Sequence, residues 1–154
     1  MTHQQNNKSQ QIESRSLLKS SCDLESLLMG DIRTLLSNQF DSQTKSSILV
    51  LLDQLILNLP VLLELSSKNG YLNVVLEKRP GWARQIDALY QANLDCISSL
   101  KLVRNCLKND RNFDALSQEL GVPLQNWIES FSAMRCLEST ILQEAFTIDL
   151  GGEA

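Results

Sequence analysis

The chain has 154 residues, enough for one compact domain that buries roughly two thirds of its unfolded surface. Apolar residues make up 43% of it and aromatic residues only 5%, so its core has to be built from leucine, isoleucine and valine, a mixture that suits helices. With 14 basic against 18 acidic side chains the formal net charge is -4, and Lys78–Arg79 is the only adjacent basic pair, which argues against a nucleic-acid partner.

Residues 1–13 read as a disordered polar arm. Met1 to Gln11 is rich in Gln, Asn and Ser and lacks the charged and apolar regions of a signal peptide, so a cytoplasmic location is expected. The remainder, residues 14–154, is expected to be a single all-α domain, an up-and-down four-helix bundle. Four segments carry apolar residues at helical spacing, and helix breakers fall between them. In the first segment Leu17, Leu24, Leu28, Ile32 and Leu35 form one face, with a candidate break at Gly30–Asp31. Asp41 to Ser46 then supplies capping side chains for the second.

The second segment, residues 48–65, is the most apolar of the chain: Ile48, Leu52, Leu55, Leu59 and Leu62 make the stripe, and Leu51, Ile56, Leu57 and Leu63 widen it. It is expected to be the most buried helix, bent at Pro60. Asp53, Gln54, Asn58, Pro60 and Glu64 inside it argue against a membrane span. A central core helix is the favoured reading of its wide apolar surface; the competing one is that its outer face docks a second copy, giving a homodimer through residues 48–65.

Asn69–Gly70 ends that segment, Tyr71 to Glu77 forms a connector, and Pro80 opens the third helix. Its stripe of Trp82, Ile86, Leu89, Ile97, Leu100, Val103 and Leu107 is interrupted by Asn93. After a linker over residues 109–122, Gly121–Val122–Pro123 is expected to start the fourth helix. Its seam of Leu124, Trp127, Phe131, Met134, Ile141 and Ala145 is interrupted by Glu138. Asn93 and Glu138 each require a partner if buried, because an unsatisfied buried polar group costs a few kcal/mol. Mutual bonding, a backbone carbonyl or a rim position would satisfy them structurally; a polar notch lined by Asn93, Met134 and Glu138 would be the functional alternative. Cys22, Cys96, Cys106 and Cys136 form no CxxC pair and are read as reduced, small core residues.

The C-terminal run from Glu138 to Glu153, with Leu-Gln-Glu-Ala-Phe at 142–146 and an Asp-Leu-Gly-Gly tail at 149–152, resembles the end of bacterial hemerythrin-like (HHE) domains. Glu64 to Glu77 and the Pro80–Gly81–Trp82 opening are similar to those proteins as well, so the resemblance spans most of residues 45–153. It implies a four-helix bundle that holds two irons through histidines and carboxylates for dioxygen or related small-molecule chemistry. The residues near the ligand positions are instead Leu62, Ser66, Asn93 and Met134, and Glu138 stands as the one surviving carboxylate, offset by a turn. The only histidine is His3, in the arm.

A histidine-based iron site therefore cannot be assembled, and a ferritin-like site fails for the same reason. Glu25, Asp53, Glu64 and Asp95 fall mostly off the seams, which weakens an all-carboxylate site. No base histidine or seam lysine accompanies the serines, and no phosphate-binding glycine loop is present, so the chain is expected not to be an enzyme. The resulting expectation is a metal-free, cofactor-free hemerythrin-like bundle that binds a protein or a small apolar ligand. The alternative is a di-iron or other metal-dependent oxygen-binding protein or enzyme using unrecognised carboxylates.

Overall fold

Long apolar repeats at helical spacing dictate the outcome: nearly all the described residues are helical, with no strand among them. The computed structural model describes residues 2–38, 41–67, 71–109 and 113–151, with side chains at 13, 15–38, 41–67, 72–109 and 121–145. Four long helices, α1 (Thr2–Ser37), α2 (Ser42–Ser67), α4 (Ala83–Asn109) and α5 (Phe113–Gly151), are joined by a short α3 (Tyr71–Lys78) and a 3-10 turn (Pro80–Trp82).

The backbone of α1 runs over Thr2–Ser37 and so takes in residues 2–13 of the polar arm. No glycine or proline interrupts residues 2–13, and Gln and Lys are good helix formers. Nor does Gly30 break α1. The helix passes through it, and Thr34 Oγ1 donates to the Gly30 carbonyl at 3.0 Å. Asp41 does cap α2 as expected: its Oδ1 accepts from the Thr44 backbone N–H at 2.7 Å, and this bond holds its carboxyl below the usual pKa.

α2 continues through Pro60, which is exposed, and through Asn58, which is buried. Val75 and Leu72 of α3 are buried, so the connector contributes to the core. The turn Pro80–Trp82 precedes α4 and is closed by Trp82 N–H donating to the Arg79 carbonyl, whereas the sequence placed the start of the helix at Pro80. The last helix differs most. It begins at Phe113, so the Gly121–Pro123 signal lies inside α5, where Pro123 leaves one carbonyl of the preceding turn without its donor.

α1 packs on α2, α2 on α4 and α4 on α5, while α3 closes against α2, α4 and α5. One hydrophobic cluster collects residues from all five α-helices, among them Ile32, Leu52, Val75, Leu100 and Leu124. The seams read from sequence in α4 and α5 are buried almost intact, including Asn93 and Glu138. The α1 stripe is set differently. Leu28 and Ile32 are inside, but Leu17 and Leu24 are 59% and 38% exposed, and Ser21 takes the inward position. α2 carries its expected stripe, with Ile48, Leu52, Leu55, Leu59 and Leu62 buried, while Val50, Leu57 and Val61 remain on its surface. Cys22, Cys106 and Cys136 are exposed and so are not core residues, whereas Cys96 is half-buried and packs against the core cluster.

Candidate functional site

Both polar interruptions of the helical seams lead to one side chain, Arg135 of α5. It follows Met134 in sequence, and its length lets it reach in from the edge of the seam. Its Nη1 donates to Glu138 Oε2 at 2.6 Å and to Asn93 Oδ1 at 3.1 Å. Nη2 and Nε form a fork onto Glu25 of α1, at 2.7 and 3.2 Å. The amide nitrogen of Asn93 donates in turn to the Leu89 carbonyl at 2.8 Å. Three helices thus meet on one guanidinium, the planar donor set best suited to two carboxylates at once.

Arg135 is also held from behind. Its guanidinium carbon lies 4.8 Å from the centroid of the Phe131 ring, which stacks on Trp127 with centroids 4.9 Å apart and planes inclined by 13°. The Trp127 indole N–H donates to the Cys96 carbonyl at 2.9 Å, and the Cys96 thiol lies 3.8 Å from the Met134 sulfur. Trp127, Phe131 and Arg135 succeed one another at i, i+4, i+8, so one helix face presents the stack. Burial works against the guanidinium charge, but the hydrogen bonds and charge of Glu25, followed by those of Glu138, outweigh it and raise the Arg135 pKa. Although Cys22 as a residue is exposed, partial desolvation by its neighbours, reinforced by Glu25, pushes its thiol up; desolvation also pushes up half-buried Cys96, so neither is primed as a nucleophile.

The structure therefore brings Asn93 and Glu138 together, with Met134 beside them, but through Arg135 and not by direct bonding. The side-chain polar groups of the notch are engaged with one another. Glu25, which the sequence placed off the seams, is one of its members, with only 13% of its side chain exposed. A second buried pair was likewise not anticipated. Ser21 Oγ donates to Asn58 Oδ1 at 2.8 Å, and Asn58 Nδ2 donates to the Ser21 carbonyl at 3.0 Å, locking α1 to α2.

These residues do not fit a di-iron centre. Leu62 and Met134 are buried hydrophobes, Ser66 Oγ donates to the Leu63 carbonyl, and the inward carboxylates Glu25 and Glu138 already face the Arg135 cation. Among the described residues no group of three or more His, Cys, Asp and Glu is placed to share a metal ion.

The remaining unusual surface is aliphatic. Leu57 is 74% exposed, and Val50 and Val61 precede and follow it on the same outer face of α2. Leu24 and Leu27 of α1 are exposed too, on the flank turned away from Glu25 and from Arg33, the residues that reach Arg135 and Ser132 of α5. Comparison with protein-family models, with curated proteins and with solved structures finds no match to this chain.

Proposed function

We propose that the chain is a protein-interaction module, an up-and-down, hemerythrin-like four-helix bundle that works without a metal. Its interior is closed by Arg135, and its working surface is the outer face of α2. The up-and-down order is supported by side-chain pairings. Ser21 opposite Asn58 brackets the connection at 39–40 symmetrically, Asp53 meets Arg104 across α2 and α4 at 2.8 Å, and Trp127 meets Cys96 across α4 and α5. Successive long helices so paired run in opposite directions.

The observation that carries the reading is the ridge of Val50, Leu57 and Val61 on a helix whose opposite face already fills the core. A helix that is apolar on all sides normally has a second element against it. Exposed single aliphatics are ordinary; three on one line of one helix are a docking surface. The polar cluster at Arg135 is a clasp that fixes α1 and α5 to each other, and it has no chemistry of its own to offer.

Two measurements test this reading. Purified protein is expected to be colourless in air and to melt at the same temperature with and without a chelator; about two irons per chain would instead indicate the di-iron chemistry of the resembling proteins. A photoreactive amino acid installed at Leu57 is expected to crosslink to a protein surface in cells, whereas one at exposed Lys101 is not. Equal labelling at the two positions would overturn the assignment of α2.

A further inference from the structure

The outer residues of α2 have a regular order. Val50, Gln54, Leu57 and Val61 succeed one another at alternating steps of four and three, all four exposed, and the same steps continue to Ser47 on one side and Glu64 on the other. That is the 3.5-residue spacing of a coiled-coil seam, running opposite to the core stripe Ile48, Leu52, Leu55, Leu59 and Leu62. We infer that this seam docks a second copy of the chain, α2 against α2, antiparallel about a two-fold axis between Gln54 and Leu57. The inference rests on the interaction-module reading and names its partner.

The seam is complementary to itself in that one orientation. A two-fold axis between residues 54 and 57 sets Val50 against Val61 of the second copy, Gln54 along Leu57, and Glu64 against Ser47. Valine then meets valine at both ends, and the Gln54 stem covers Leu57 while its amide stays at the rim. In the parallel orientation Glu64 would face Glu64 and Gln54 would face Gln54. Like charges across a seam are unfavourable, so the charge distribution selects the antiparallel pair.

The available area is sufficient. The Ser21–Asn58 register sets Leu24 and Leu27 of α1 level with the middle of α2, and Leu17 level with its end, so the three exposed leucines flank the seam. At roughly 100 Å² of apolar area per fully buried aliphatic side chain, the exposed parts of these six residues amount to about 350 Å² per copy. Two copies with a polar rim of ordinary proportion would bury about 1,200 Å², the low end of a specific interface. The dimer is accordingly expected to be of micromolar affinity.

Sedimentation velocity on the full chain, from about 1 µM to a few hundred µM, is expected to show a monomer converting to a dimer. Leu57→Lys should raise the dissociation constant at least about tenfold without changing helical content, because position 57 is exposed in the monomer. Ser47→Glu should weaken the dimer by facing Glu64, and Ser47→Glu/Glu64→Lys should restore it, a rescue that only the antiparallel register gives. A monomer at all concentrations overturns the inference, as does a dimer indifferent to Leu57→Lys, or a dimer without the charge rescue. If the chain stays monomeric but the probe at position 57 crosslinks to a different protein and Val61→Lys abolishes that crosslink, self-docking is wrong and the interaction module stands. If it stays monomeric and binds phosphatidylcholine–phosphatidylglycerol vesicles through Leu57, both readings are wrong.

Discussion

Replacing Arg135 with methionine keeps most of the side chain's stem against Phe131 and removes both the charge and the five-donor fork. Glu25 and Glu138, with 13% and 8% of their side chains exposed, would be left as two largely buried carboxylates with their common counter-charge gone, and Asn93 Oδ1 would lose its donor. Removing one partner of a buried ion pair costs about 3–5 kcal/mol. Arg135 itself retains 23% exposure, which admits some water and places the loss near the lower end, about 3 kcal/mol. For a chain of this length that is a drop of roughly 6–12 °C in melting temperature, readable by calorimetry or by far-ultraviolet dichroism. The same variant with Glu25→Met and Glu138→Leu added should recover part of the loss, to within about 2 kcal/mol of the parent, because it removes the stranded charges and leaves only the Asn93 amide oxygen without its donor. Two results would refute the reasoning. A loss below about 1 kcal/mol for Arg135→Met would mean that the cluster is solvated like a surface ion pair. A triple variant as unstable as the single one would mean that the stranded carboxylates are not the cause.

Other expectations follow from neighbouring features. Gly30→Ala should stabilise the protein by about 0.5–1 kcal/mol, since the residue lies within α1 and an added Cβ meets nothing within 4 Å; a destabilised variant in a thermal melt would contradict the uninterrupted helix. Asn58→Ala should cost about 1–3 kcal/mol, and far less in a Ser21→Ala background, a coupling that a double-mutant cycle in urea measures. Asp41 caps α2 in its ionised form, so its contribution is present above its unfolded pKa of 3.8 and fades as the pH falls through the lower folded value; Asp41→Asn should remove that part of the acid dependence while preserving the cap. The Cys22 and Cys96 thiols are raised above 9.0, so their contribution is present below that pH and is lost as it rises further. A Cys22→Ser/Cys96→Ser chain should show a flatter alkaline limb in melting temperature against pH.

The seams of α4 and α5 were legible because their apolar residues recur at helical spacing with one polar interruption each, and an interruption at a buried position advertises a partner. The identity of that partner was not legible. Arg135 sits about 100° around the helix from Met134, at a position where periodicity assigns a solvated charge, and only its length carries it inward. A cue did exist in the spacing Trp127, Phe131, Arg135, Glu138, which places a cation over an aromatic stack and beside an acid. On α1 the reading by hydrophobicity chose the wrong flank. Its inward positions include the polar Ser21 and Glu25, while Leu17 and Leu24 are left outside by the fold. The early start of α5 was hidden by Gly121 and Pro123, which signal a helix start but which a helix anchored elsewhere along its length can absorb.

The stacked Trp127 has an optical consequence. Of the two tryptophans, Trp82 is half-buried at the 3-10 turn, whereas Trp127 lies inside, its indole N–H on the Cys96 backbone carbonyl and its ring against Phe131. Indole emission shifts to the red when water reaches the ring, so a Trp82→Phe chain would carry a single fluorophore seated next to the clasp. Parting of α4 from α5 would then be visible as a colour change from that one residue, in real time and without an attached dye.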